Sequence, residues 1–307
     1  MGGATYLRTN RRSGILGLAW AHAEDDFETI QSTILAAKSM LGLYLGKEGA
    51  VVDYVVHLLR AKEIVEKNLP KVSPEFLKLV RGYLAGLNAY AAENPKEVLI
   101  KKAFPITVED AFQAYVLQLA IMDGADGVIS NLFNGNIDYS APVGIGSNAL
   151  VFNRNKTNSD HVMLAVNSHQ PLEGPASWYE AHLVSDEGWN MMGGLFPGGP
   201  VVFHGTNEHL GWAHTVNHPD KIDLFRLEID TDDENRYRID DQWYNLEEIR
   251  VPLYVKTIFG LKIRIKKSTF YSKYGPVIKN DKGAFAFKMA VFDEIRALET
   301  ISFFPKP

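Results

Sequence analysis

Pro142-Val143-Gly144-Ile145-Gly146-Ser147-Asn148-Ala149-Leu150-Val151-Phe152 is the stretch on which the reading of this chain turns, because the texture of the sequence changes across it. Before it, from Glu24 to about Met122, apolar residues recur at three- and four-residue spacing: Phe27, Ile30, Ile34, Leu35 and Ala37, then Val51 to Val65 with Val55, Leu58 and Leu59. That period predicts amphipathic helices. Ser73-Pro74 supplies an N-cap and a proline at the first helical position, and Thr107-Val108-Glu109-Asp110 puts acids into the first turn of a helix running through Tyr115 and Leu119. After it, short apolar or alternating runs at 148–152, 161–166, 200–204, 224–229, 251–258 and 263–270 read as strands, separated by turns such as Pro197-Gly198-Gly199 and Tyr274-Gly275-Pro276. Between Asp123 and Gly146 the Gly-, Asn- and Pro-rich sequence reads as a loop of about twenty residues, long enough to be functional. Helices first and strands second predict an α+β fold. Its parts are expected at 1–123 (helical), 124–146 (linking) and 147–307 (strand-rich).

The 307 residues are 46% hydrophobic and 22% charged, enough for one large domain or two smaller ones. A formal net charge of -5 offers no basic stripe for phosphates, so nucleic acid is not expected as a partner. Lysine and arginine cluster only in Ile263-Arg264-Ile265-Lys266-Lys267, where charge alternating with apolar residues reads as the solvated face of a strand. The absence of cysteine excludes disulfides, thiolate zinc sites and a cysteine nucleophile, and is silent on compartment. No run reaches the ~18 apolar residues of a membrane span, and Met1 to Asn10 has no apolar core of an export signal.

The Gly146–Ser147 junction can carry chemistry that an ordinary serine cannot. Serine is a weak nucleophile until a base takes its proton, and one solution makes the base the free α-amine of the same residue. Such an amine titrates near ~7.7–8.0, close to neutrality, where a lysine at ~10.4 stays protonated. It exists only once the Gly146–Ser147 bond is broken, and glycine at 146 can adopt dihedrals that expose its carbonyl to the Ser147 hydroxyl. Taken alone, Gly-Ser-Asn is a turn, and His169, twenty-two residues on, is an ordinary surface histidine. His204, His209, His214 and His218, spaced by five, five and four with no His-Glu-x-x-His, make a zinc amidohydrolase the weaker reading. The absence of Gly-x-Ser-x-Gly argues against an α/β-hydrolase. Trp178, Tyr179, Trp189, Met191, Met192, Leu195, Phe196 and Phe203 are rich enough to line an acyl pocket, with core packing as the plainer alternative.

What raises the serine above a turn is an ordered set of segments: Gly17-Leu18-Ala19-Trp20-Ala21-His22-Ala23-Glu24-Asp25-Asp26-Phe27, Gly146-Ser147-Asn148-Ala149, Asn167-Ser168-His169-Gln170-Pro171, Trp178-Tyr179-Glu180-Ala181-His182-Leu183, Phe196-Pro197-Gly198-Gly199-Pro200, His204-Gly205-Thr206-Asn207 and Gly211-Trp212-Ala213-His214-Thr215-Val216-Asn217. Together they resemble the penicillin acylase family of N-terminal-nucleophile amidohydrolases, over roughly residues 15 to 300, and within it the acyl-homoserine-lactone and long-chain acylase branch. The resemblance implies an αββα sandwich and hydrolysis of a linear amide in a small N-acyl compound after self-cleavage at Gly146–Ser147. Ser147 would be the nucleophile and its α-amine the base, His169 would orient that amine, and the backbone N–H of Val216, on a stiff strand end, would be one oxyanion donor worth ~2.7–4 kcal/mol.

The same resemblance places Tyr179 and Phe203 at the acyl pocket, with Gln170 where many members carry an aromatic. It allows a structural calcium ion on Asp220 and Asp223, two acids that are otherwise solvated turn residues, and implies no other cofactor. It implies two chains from one precursor, a periplasmic or secreted location, and a second oxyanion asparagine further along than Asn280, whose surroundings from Val277 to Gly283 predict a hairpin turn. The chain is therefore expected to be an internal portion of a longer precursor. The competing reading is a catalytically incomplete homologue that binds acylated ligands without turnover.

Overall fold

Helices fill most of the first half, as the apolar spacing requires, in a computed structural model that describes residues 4–8, 11–137, 146–216 and 221–302. Strand β1 (Ala4–Arg8) precedes α1 (Arg11–Ala37), α2 (Gly42–Leu45), α3 (Lys47–Leu59), α4 (Ala61–Asn68), α5 (Pro74–Glu93), α6 (Val108–Met122) and α7 (Ala125–Phe133). Phe27, Ile30, Ile34, Leu35 and Ala37 are all buried, which is the face their spacing predicts. Helix α5 starts where Ser73 Oγ accepts from the Phe76 N–H at 3.2 Å. Helix α6 starts in a capping box, Thr107 and Asp110 each accepting from the other's backbone N–H.

Three local expectations give way to tertiary contacts. Helix α1 is kinked at Asp26, whose backbone is non-helical and whose Oδ1 accepts from the Thr29 N–H at 3.2 Å, capping a new helical start. The periodic run from Val51 to Val65 splits into α3 and α4 at Arg60, a left-handed residue with φ 54°. Its guanidinium sits 3.5 Å from the centroid of the Tyr271 ring and 2.6 Å from Glu247 Oε2, so partners from the other half of the chain hold a conformation the local sequence disfavours. The segment 124–146, read as a loop, instead contains α7, with Val128, Ile129 and Leu132 buried in a core shared with Ile278, Phe285 and Phe287.

The second half is strand-rich: β2 (Ser147–Phe152), β3 (Met163–Ser168), β4 (Tyr179–Ser185), β5 (Trp189–Leu195), β6 (His204–Asn207), β7 (Gly211–Trp212), β8 (Ile222–Ile229), β9 (Arg236–Ile239), β10 (Gln242–Asn245), β11 (Glu247–Lys256), β12 (Lys262–Ser272), β13 (Gly275–Asn280) and β14 (Gly283–Met289), followed by α8 (Ala297–Ile301). Of the run 200–204 only His204 is in a strand; Val201, Val202 and Phe203 are buried in the approach to it. One sheet has the order β1-β4-β5-β6-β7, with β1 parallel to β4, and a second, antiparallel, has the order β10-β9-β8-β14-β13-β12-β11. Strands β2 and β3 form a separate hairpin that pairs Ser147 with Ser168.

Helices and sheets share their cores, so the fold is α+β. Residues of α1, α5 and α6 pack with Ala181, Leu183, Met191 and Leu195 of β4 and β5, and α3 and α7 pack on β13 and β14. Cross-half hydrogen bonds reinforce this, from Tyr54 Oη to the Ser268 carbonyl at 3.0 Å and from Tyr271 Oη to the His57 carbonyl at 2.6 Å. Among the described residues no helix is long and apolar enough to cross a membrane.

Candidate active site

The β2–β3 hairpin brings Gly146, Ser147 and His169 together because antiparallel pairing sets the first residue of β2 opposite the last of β3. The Gly146 carbonyl oxygen accepts two hydrogen bonds, from Ser147 Oγ at 2.7 Å and from the His169 backbone N–H at 3.2 Å. The Nδ1–Cε1 edge of the His169 ring faces Gly146, since a Cβ there would meet Nδ1 at 3.6 Å and Cε1 at 3.9 Å. On its far side His169 Nε2 lies 3.3 Å from Asn148 Nδ2. Of the two ring nitrogens, Nε2 thus faces Asn148 and Nδ1 is turned toward Gly146.

A second histidine, which spacing alone offered only as a zinc candidate, ties this hairpin to the five-stranded sheet. His204, buried at the start of β6, lies with Nε2 3.0 Å from Ser168 Oγ, and its Nδ1 accepts from the His214 backbone N–H at 2.9 Å. Because Nδ1 accepts, the neutral ring carries its proton on Nε2 and donates it to Ser168. His204 thus joins the residue opposite Ser147 to a segment two residues short of Val216. Strand β5 crosses close behind it: a Cβ on Gly193 would come 1.9 Å from the His204 carbonyl oxygen, a position only glycine fits. Trp178, Phe203 and His214 pack around the ring, with Phe196 beyond them, in an aromatic wall with centroids 4.4 to 5.8 Å apart.

The penicillin amidase family profile matches residues 9–304. The chain belongs to the penicillin amidase family. The acyl-homoserine lactone acylase PvdQ of Pseudomonas fluorescens (strain Pf0-1) is 25% identical over 97% of this chain and 43% of its own length. Aculeacin-A acylase of Actinoplanes utahensis is 30% identical over 44% of this chain and 16% of its own. Among solved structures, a thermostable penicillin G acylase from Alcaligenes faecalis aligns over 43% of this chain and 24% of its own at 22% identity, with a TM-score of 0.37. The chain spans less than half the length of the PvdQ acylases it matches.

The fold places the remaining residues singled out from the sequence of this family member. Val216 is not on a strand end; it lies four residues past β7, outside regular structure and exposed. Phe203 is buried in the aromatic wall, while Tyr179 stacks on His22 at 4.0 Å and donates its hydroxyl to Asp25 Oδ2 at 2.7 Å, which engages it with α1. Trp189, Met191 and Leu195 are core. Gln170 is half-buried just beyond His169. Asp223 is an exposed residue of β8 opposite Lys288, and Asp220, like His218, lies outside the described residues. Among the described residues no three His, Asp or Glu side chains are grouped to hold a metal ion. Asn280 closes the β13–β14 hairpin, its Nδ2 donating to the Leu132 carbonyl at 2.8 Å, as the turn pattern predicts.

Burial sets the acid sensitivity of this arrangement. It pushes the His204 pKa down to about 4, with His214 acting in the same direction, and that of His22, stacked under Tyr179 and 2.8 Å from Tyr83 Oη, down to about 3. A histidine whose folded pKa is depressed holds fewer protons folded than unfolded, so its stabilisation is complete above the unfolded value of about 6.5 and is lost as pH falls toward the folded value. Buried Asp53, pushed up to about 6 against the N–H groups of Leu41 and Gly42 that it accepts from, works the other way below that pH. Two histidines against one carboxyl predict a urea midpoint that falls between pH about 6.5 and about 4. A midpoint that holds constant or rises across that window would contradict the assignment of both rings as neutral.

Proposed function

We propose that this chain carries the nucleophile-bearing part of an N-terminal-nucleophile amidase, which cuts its own Gly146–Ser147 bond and then hydrolyses the linear amide of an N-acyl compound through an acyl ester on Ser147. The observation that carries the reading is the Gly146 carbonyl, held at once by Ser147 Oγ and the His169 N–H. In self-cleavage Ser147 Oγ attacks the Gly146 carbonyl carbon and a C–O bond forms. The hydroxyl proton passes to the departing Ser147 nitrogen as the C–N bond breaks, leaving an ester. Water then hydrolyses that ester to a Gly146 carboxylate and a Ser147 with both hydroxyl and α-amine free. Charge develops during the first step on the oxygen to which the His169 N–H already points, an interaction of the kind worth ~2.7–4 kcal/mol.

On a substrate the α-amine takes the Oγ proton, Oγ attacks the acyl carbonyl, and the proton passes to the leaving amine. His169 orients the α-amine, and the Val216 N–H is one oxyanion donor. The aromatic wall of Trp178, Phe196 and Phe203 suits an apolar acyl chain. Support for acyl amides as substrates comes from relatives named acyl-homoserine lactone acylase and aculeacin-A acylase. The shared cores hold both sides of the cut together, and a periplasmic or secreted location accords with this class of substrate. Incubation with a long-chain N-acyl-homoserine lactone is expected to release fatty acid and free amine, detected by mass spectrometry, from protein whose new N-terminus is Ser147. An intact chain that releases neither product would sink the reading.

A further inference from the structure

The basic run at 263–267 is solvated on strand β12, as its alternation with apolar residues suggests, and the apolar residues beside it are exposed too. Strands β11 and β12 pair residue by residue out to Lys256 and Lys262, and the turn beyond them is closed by hydrogen bonds from Thr257 N–H to the Leu261 carbonyl (2.8 Å), Gly260 N–H to the Thr257 carbonyl (2.9 Å) and Leu261 N–H to Thr257 Oγ1 (3.1 Å). On this firmly built tip Ile258 is 94%, Phe259 84% and Leu261 66% exposed. Ile263 and Ile265, which alternation would place in a core, are exposed as well. Large apolar side chains held outward in a cluster mark a contact surface rather than a scattering of surface residues.

The charge around that tip identifies what it meets. Lys256, Lys262, Arg264, Lys266 and Lys267 surround it with no acid anywhere from 256 to 267, in a chain whose net charge is -5. Among the described residues none of these five is in an ion pair; Arg264 only approaches the Tyr254 ring, 5.9 Å from its centroid. On the helical side Gly46 abuts the Lys256 carbonyl, bringing exposed Leu45 alongside and Lys47 and Glu48, whose charges cancel. We infer that the β11–β12 hairpin docks on an anionic lipid bilayer, the apolar tip entering the interface and the five cations meeting the headgroups. Such a pairing of apolar insertion with basic flanks is how proteins lie on membranes without spanning them. Nucleic acid would use the cations but leave Ile258, Phe259 and Leu261 wet. A second copy meeting this one tip to tip would set the five cations against their own like charges. The inference stands apart from what Ser147 does.

The test is co-sedimentation of the purified protein with vesicles of equal parts phosphatidylglycerol and phosphatidylcholine, beside vesicles of phosphatidylcholine alone. Binding is expected only to the anionic vesicles, weakening as salt is raised. Lys262→Gln with Arg264→Gln is expected to lower the partition coefficient about fivefold per charge removed, and Ile258→Ser with Phe259→Ser by more than about tenfold. Phe259→Trp should shift its fluorescence to the blue on the anionic vesicles. Thermal midpoints should not move, because these side chains touch little of the fold. No anionic binding, or binding indifferent to these substitutions, overturns the inference. So does heparin binding or self-association that the same changes abolish while vesicles remain unbound.

Discussion

Ser147→Ala is expected to fold, to remain a single chain across 146–147, and to hydrolyse acyl amides at least about 10⁴-fold more slowly than the parent. The variant removes one oxygen, the Oγ that donates to the Gly146 carbonyl, and Ser147 contributes no other side-chain atom to the hairpin, whose register is set by backbone pairing. Loss of activity without loss of structure therefore separates a chemical role from a structural one. Because the α-amine base can exist only after the bond is cut, one substitution should abolish both steps. N-terminal sequencing, intact mass and product release on the same sample check this together. A variant that still exposes residue 147 as an N-terminus, or releases acid at the parental rate, would show that the nucleophile lies elsewhere.

His204→Phe is expected to lower kcat by about a hundredfold while leaving KM near the parental value, because displacement of reacting groups by about 1 Å costs on that order. The substitution keeps an aromatic ring among Trp178, Phe203 and His214 but deletes the donor to Ser168 and the acceptor for the His214 N–H. Those two bonds hold opposite walls of the site, the hairpin carrying Ser147 and His169 and the segment leading to Val216. His204 is thus a positioning residue, and His204→Gln, which offers both a donor and an acceptor, should restore most of the rate. Ser168→Ala severs the same link from the other side and should not add to the His204→Phe loss. If His204→Phe turns over within twofold of the parent while Ser147→Ala is dead, the nucleophile stands and the positioning role falls.

The features legible in the chain were those that depend on near neighbours. Apolar period and caps suffice for α5 and α6, where Ser73, Thr107 and Asp110 bond residues three positions away. The turn at Asn280 and the change from helical to strand texture at Ser147 were legible for the same reason. Arg60, by contrast, breaks a periodic run because Tyr271 and Glu247, far along the chain in the strand-rich half, hold it. Helix α7 forms in a Gly- and Asn-rich stretch because Ile278 and Phe285 cover its apolar face.

The site divides along the same line. Ordered motifs in the sequence were enough to single out Gly146, Ser147 and His169 as candidates, since candidates of this kind are chosen by residue type and order. They could not show which group polarises the Gly146 carbonyl, because that is the backbone N–H of His169, delivered by strand register. Nor could they distinguish His204 from a metal candidate, since its role is defined by Ser168 and His214, thirty-six and ten positions away. Alternation likewise could not show that Ile263 and Ile265 stay exposed, since a strand face is buried only where a neighbouring layer covers it. Local order singles out the candidate groups, and long-range packing decides how they are held, because hydrogen-bond geometry and burial arise only when distant segments meet.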